Sequence, residues 1–292
     1  MKTLYDAAKR AGFMGTVLLS LAFPAVSREN DGAWQTGGEP EVIEVEIDGA
    51  VGKLAGIVCR PGVAEGETVP MVILMHGFMS DKQSRVIGDI AEKLMEKGVA
   101  SIRFDFNGHG ESDGEFGNMT VANEIEDAAK VYEYVRSQDF VGSVALLGHS
   151  QGGVVASMLA GELGAGKVAS LVLMAPAAVL RDDALNGVMF GVRYDPHDIP
   201  EYVPVSGRRV GREYVKVAQT LPIYETAALY GGPVCIIHGM SDDIVPYSYS
   251  VRYKESYKDA VLHLVEGEDH GFSVRRDEVT DMAVQFLAGP GK

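Results

Sequence analysis

The feature that most limits what this chain can become is Val144-Ala145-Leu146-Leu147-Gly148-His149-Ser150-Gln151-Gly152-Gly153. It is a short apolar run ending in Gly-x-Ser-x-Gly, followed by a helical pattern over Val154 to Leu163. Strand, tight turn and helix in that order hold the central serine on a strained elbow, its Oγ clear of the sheet. A side chain at Gly148 or Gly152 would collide with the neighbouring strand or helix. The residue after the serine opens the helix, so its backbone N–H lacks an intrahelical partner and can bind an anion. Gly-x-Ser-x-Gly alone recurs by chance; the apolar strand before it and the helix after it give it meaning.

The rest of the chain supplies a frame for such an elbow. Glu41 to Ile47 and Leu54 to Arg60 read as an antiparallel hairpin at a sheet edge. Met71-Val72-Ile73-Leu74-Met75 is a continuous apolar run, as expected of a strand covered on both faces. Further strands are expected at Val99–Phe104, Val168–Met174, Val234–His238 and Val261–Val265. Helices are expected at Gln83–Lys97, Val121–Ser137, Tyr249–Tyr257 and Asp277–Leu287. Strands and helices alternating at this spacing predict an α/β fold, a mostly parallel sheet with helices on both faces.

Two stretches depart from the alternation. Residues 177–231, with Pro196, Pro200, Pro204 and Pro222, form a long irregular insertion. Stretches of this length inside a domain are commonly functional, and this one is expected to lie over the elbow as a lid. At the N-terminus, Lys2, Lys9 and Arg10 precede an apolar run from Ala11 to Val26, then Ala25-Val26-Ser27. This is the layout of a secretory signal peptide over residues 1–27, too short to favour a membrane span. A secreted or periplasmic protein follows; the alternative is a cytoplasmic one whose N-terminal segment packs on the domain. Residues 28–40 read as a linker and 41–292 as the domain.

Composition narrows the chemistry. The net charge is −15 with no basic cluster, which disfavours nucleic acid and stable association with anionic membranes. Hydrophobic residues make up 46% of the chain, enough for a sizeable core. Cys59 and Cys235 fall in expected buried strands and read as small hydrophobes. No Cys/His cluster has metal-ligand spacing.

A serine hydroxyl needs a base, itself oriented by an acid. Downstream of Ser150, two post-strand loops offer them: His238-Gly239-Met240-Ser241-Asp242-Asp243-Ile244-Val245-Pro246 and Glu266-Gly267-Glu268-Asp269-His270-Gly271-Phe272. His270 is the expected base, and Asp242 is favoured over Asp243 as the acid. His263 reads as structural; His76 and His238 read as turn-shaping residues before a glycine. Two fixed donors are expected for the oxyanion, the backbone N–H groups of Gln151 and of Phe78 in His76-Gly77-Phe78.

Taken together, His-Gly-Phe, Asp-Phe-x-Gly-His-Gly-x-Ser, Gly-His-Ser-Gln-Gly, His-Gly-x-x-Asp-x-x-Val-Pro and Glu-Asp-His-Gly-Phe resemble the α/β-hydrolase superfamily over about residues 41–288. Leu173-Met174-Ala175-Pro176-Ala177-Ala178, Asp183-Ala184-Leu185, Tyr194-Asp195-Pro196 and Gln219-Thr220-Leu221-Pro222-Ile223-Tyr224-Glu225 further resemble bacterial cinnamoyl (feruloyl) esterases. That resemblance implies a small α/β insertion over the acyl pocket, with Asp183 and Tyr214 binding phenolic hydroxyls of an aromatic ester. Asp183 could instead cap a helix before Ala184-Leu185, and Tyr214 could be packing. Phe190 stands where some relatives carry a third polar contact, a departure bearing on hydroxyl recognition.

The implied reaction is two-step acyl transfer through an acyl-enzyme, with no cofactor. Alternatives on the same fold are a general short-acyl carboxylesterase, a serine peptidase or acyl transferase, and a binding protein with a spent triad. Whether two copies pair as a homodimer is left open by the sequence.

Overall fold

The computed structural model describes residues 27–28 and 39–289. Residues 1–26 and 29–38, most of the expected signal peptide and linker, lie outside the described residues.

In chain order the strands before the elbow are β1 (Ser27–Arg28), β2 (Glu41–Asp48), β3 (Lys53–Arg60), β4 (Val69–Met75) and β5 (Ala100–Phe104), with helix α1 (Arg85–Glu96) between the last two. Helix α2 (Val121–Arg136), β6 (Val141–His149), α3 (Gln151–Leu163) and β7 (Leu171–Met174) follow. The insertion contains α4 (Val179–Asn186), the hairpins β8 (Val188–Met189) with β9 (Val192–Arg193) and β10 (Tyr202–Val205) with β11 (Arg208–Gly211), then α5 (Arg212–Thr220) and α6 (Ile223–Ala227). The chain closes with β12 (Val234–Gly239), α7 (Ser248–Ser256), β13 (Ala260–Val265) and α8 (Arg276–Ala288).

The nine-stranded sheet runs β1-β2-β3-β5-β4-β6-β7-β12-β13. Pairing is antiparallel at β2–β3 and β3–β5 and parallel elsewhere. Its apolar runs are continuous because both faces are covered, and successive side chains point to opposite sides. Met71, Ile73 and Met75 of β4 join one core with α2, α3 and α7, while Val72 and Leu74 join the other with α1 and α8. Helix α1 shows the matching pattern, burying Val86, Ile87, Ile90, Ala91 and Leu94 along one stripe.

Three expectations change in detail. The elbow helix begins at Gln151 rather than Val154, because packing overrides the poor helix propensity of Gly152 and Gly153. The insertion is ordered into three helices and two hairpins rather than irregular. Asp183 is not a cap: it lies inside α4, which starts four residues earlier.

The parallel register brings the C-terminal ends of β4, β6, β7 and β12 to one edge, where loops from separate strands meet. Cys59 and Cys235 are buried free thiols, and burial pushes Cys235 up to about 12. Among the described residues no helix is long and apolar enough to cross a membrane, and no group of His, Cys, Asp and Glu is placed to hold a metal ion.

Candidate active site

Strand β6 delivers Ser150 at φ 57° and ψ −122°, a backbone conformation that a non-glycine residue adopts only when its surroundings hold it. They do so by hydrogen bonds: Ser150 N–H donates to Met174 O (2.9 Å), and Ser150 O accepts from Gly153 N–H (2.9 Å) and Ala177 N–H (3.0 Å). The turn leaves no room for side chains beside it. A Cβ on Gly148 would lie 2.0 Å from Gly152 O, and one on Gly152 would lie 2.4 Å from His76 O.

The loop after β13 brings His270 to the elbow across 120 residues of chain. Its Nε2 accepts from Ser150 Oγ–H at 2.9 Å, and its Nδ1–H donates to Asp242 Oδ2 at 2.7 Å. Asp242 Oδ1 accepts from the Ile244 and Val245 amides at 2.9 and 2.8 Å. Burial opposes ionisation of Asp242, yet the bonds from His238 and His270, the electrostatic pull of the His270 ring and the Val245 amide outweigh it. They hold the carboxyl well below its ordinary range. Asp243, the other candidate acid, lines the neighbouring cavity instead.

Two further histidines brace the site. His238, fully buried, donates from Nε2 to Asp242 Oδ2 (3.0 Å) and Val245 O (2.9 Å), while Ser250 O–H donates to its Nδ1 (2.6 Å). It buttresses the acid as well as the turn. His149 donates from Nε2 to the His270 carbonyl (2.8 Å) with the two rings 5.1 Å apart. Burial, and then the neighbouring His270, push His149 down to about 4, so it stays a neutral donor at pH 7. Only the His-x-x-x-Asp spacing of His238, near the end of β12, and Asp242, in the loop after it, hinted at the first of these contacts.

The turn carrying Phe78 is held by His76, whose Nδ1–H donates to Gly77 O (2.8 Å) and whose Nε2 accepts from Phe106 N–H (3.2 Å). Gln151 opens α3, where its N–H has no intrahelical partner. Phe78 and Gln151 both line, with Ser150, a cavity of about 370 Å³. That volume lies within the range of small-molecule sites.

The insertion supplies the opposite wall. Leu180, Asp183 and Ala184 of α4, Met189 and Phe190 of the first hairpin, and Tyr214 of α5 face the cavity. Phe190 stacks on Phe78 (5.3 Å, 17°), and Tyr214 lies 5.6 Å from the same ring. Tyr214 O–H donates to Gln151 Oε1 at 2.6 Å, and burial raises the phenol well above its ordinary value. Asp183 is raised by burial first and by Asp182 second. The structure therefore brings Ser150, Asp242, His270, Phe78, Gln151, Asp183 and Tyr214 to one place. Glu124, buried on α2 and donated to by Gln151 Nε2 at 2.8 Å, is a neighbour that no sequence motif pointed to.

A serine elbow, a base and acid in hydrogen-bonded relay, and a cavity at the C-terminal edge of a parallel sheet define a serine hydrolase. Comparison with known proteins agrees. Residues 66–193 match the model of the family described as serine aminopeptidase, S33. The structure of Est1E from Butyrivibrio proteoclasticus with ferulic acid bound superposes with a TM-score of 0.79 at 33% identity, covering 83% of this chain and 97% of that one. The chain belongs to the α/β-hydrolase superfamily, and within it resembles the bacterial feruloyl esterases. An Escherichia coli 31.7 kDa protein of the traX-finO intergenic region is 36% identical over 101 residues, 34% of this chain and only 35% of that protein. Mouse mitochondrial palmitoyl-protein thioesterase ABHD10 is 25% identical over 201 residues, 64% of this chain and 63% of its own length.

Proposed function

We propose that this chain is a carboxylesterase acting on hydroxycinnamate esters. The observation that carries the reading is the relay from Ser150 through His270 to Asp242, beside a cavity lined by Phe78 and Phe190 and by Asp183 and Tyr214. The ferulic acid bound to Est1E supports the substrate class.

In this reading His270 Nε2 takes the Ser150 proton as Oγ attacks the ester carbonyl. The oxyanion is received by the amides of Gln151 and Phe78; losing one such donor costs about 3 kcal/mol of transition-state stabilisation. His270 returns the proton to the departing alcohol. Water then enters and gives a proton to His270 as its oxygen attacks the acyl carbonyl, and His270 returns that proton to Ser150 Oγ as the acid is released. Asp242 keeps the proton on Nδ1 and offsets the charge that His270 acquires. Asp183 and Tyr214 bind the distal hydroxyls of the acyl ring. A protein exported by its N-terminal segment would meet such esters outside the cell; mass spectrometry of the secreted form should show a new N-terminus near Arg28, and an intact Met1 would defeat export.

The apolar Phe190 favours a second reading, a general short-acyl carboxylesterase with the insertion as a hydrophobic cover. Turnover of methyl ferulate against 4-nitrophenyl butyrate decides between them. Preference for ferulate, abolished by Ser150→Ala, is expected. Preference for butyrate would select the second reading, and activity surviving Ser150→Ala would remove both.

A further inference from the structure

Glu124 has no part in the acyl-transfer chemistry, yet it is a carboxyl only 2% exposed in the first turn of α2. Such a group is retained in an apolar setting only when its oxygens are engaged. Its Oε2 accepts from Gln151 Nε2 at 2.8 Å, and Gln151 Oε1 accepts from Tyr214 O–H at 2.6 Å. All three side chains are buried, and the phenol at the end of the line faces the cavity.

Glu124 Oε2 accepts from Gln151 Nε2 whether the carboxyl is ionised or carries its proton on the other oxygen, and that contact sets the polarity of the line. A carboxyl oxygen accepting from the amide nitrogen turns the amide oxygen toward Tyr214, and that oxygen only accepts. The single phenolic proton is thereby committed to Gln151. Toward the cavity Tyr214 presents lone pairs alone. Asp183, another polar residue lining the cavity, is acceptor-only when ionised.

We propose that Glu124 is a specificity-determining positioning residue. Through the Gln151 side chain it turns the Tyr214 proton away from the acyl pocket, so that the pocket selects acyl groups bearing a hydrogen-bond donor there. The inference rests on the acyl-pocket reading given above. Without Glu124 the Gln151 amide is free to rotate and Tyr214 can donate as well as accept. Acyl groups ending in a hydroxyl then lose their advantage over those ending in a methyl ether.

The test is a double-mutant cycle of Glu124→Ala and Tyr214→Phe, with methyl 4-hydroxycinnamate, methyl 4-methoxycinnamate and 4-nitrophenyl butyrate as probes. Native protein should prefer hydroxy over methoxy by about tenfold in kcat/KM, the worth of one hydrogen bond. Each single variant should bring that ratio to within about twofold of unity, and Glu124→Ala should change it no further in the Tyr214→Phe background. Glu124→Gln, which keeps an acceptor oxygen for Gln151 Nε2, should restore the native ratio. If Glu124→Ala does not fold, Gln151→Leu breaks the same line while keeping its backbone N–H. An unchanged ratio in the variants, or effects that add on every ester, overturns the proposal. Native preference for butyrate over methyl ferulate would instead remove the hydroxycinnamate reading. The cycle would still report whether Glu124 and Tyr214 are coupled on the ester that is turned over.

Discussion

At Ser150 a positive φ is maintained by three backbone hydrogen bonds, so the nucleophile is strained and immobile together. In the proposed mechanism the partner that gives His270 its direction is Asp242, through the 2.7 Å bond to Nδ1. Asp242→Asn preserves the shape but presents the wrong hydrogen-bonding face to His270 Nδ1. Steady-state kinetics should show kcat reduced by about ten-thousandfold, as expected when the wrong imidazole tautomer is stabilised. His149 should matter through geometry alone. His149→Phe keeps a ring against His270 and Phe272 but releases the His270 carbonyl, so kcat should fall while the unfolding midpoint moves little.

Among the elements, the insertion with its hairpin β8–β9 walls the cavity, and in the proposed reading it decides what the cavity accepts. Phe190, at φ 46° and 53% exposed, is held in a left-handed conformation where its ring covers Phe78. Phe190→Gly suits that backbone and removes the stack. Methyl ferulate turnover should drop more than 4-nitrophenyl butyrate turnover, and equal losses would show that the ring does not select aromatic acyl groups. The core strands and the loops carrying Ser150, Asp242 and His270 were legible because each is a local pattern, an apolar run closed by glycine and a polar residue. The insertion was less so: its helices are short, and α4 has only Leu180 and Ala184 buried, too few to mark a face. Least legible were the contacts of Glu124 with Gln151 and of His149 with His270. They join residues 27 and 121 positions apart, and no local spacing encodes such meetings.

Across the whole molecule, stability rests on a sheet buried on both faces. Leu74, fully buried in the central strand β4, belongs to the core shared with α1 and α8. Leu74→Ala should cost about 2–5 kcal/mol, measured as a lower midpoint in denaturant with an unchanged slope. Buried acids give the fold a pH dependence of known sign. Burial raises Glu124 from 4.5 to about 8 and Asp127 from 3.8 to about 6. The folded chain therefore holds more protons than the unfolded one across that interval, and stability falls as pH rises through it. Asp242, shifted the other way, contributes stability that is lost only on acidification below its ordinary range. Thermal unfolding of Glu124→Gln should lose less stability than the native chain between about pH 5 and 8, since its share of the proton difference is gone.

The bond from Ala177 N–H to the Ser150 carbonyl, at 3.0 Å, fastens the first residue of the insertion to the elbow itself. Whatever breathing admits a substrate must pivot beyond that point. In native-state hydrogen–deuterium exchange the Ala177 amide should release its proton only through global unfolding, whereas amides of β8 and β9 exchange from local openings. The boundary between slow and fast amides would then mark the hinge of the cover without any ligand being added.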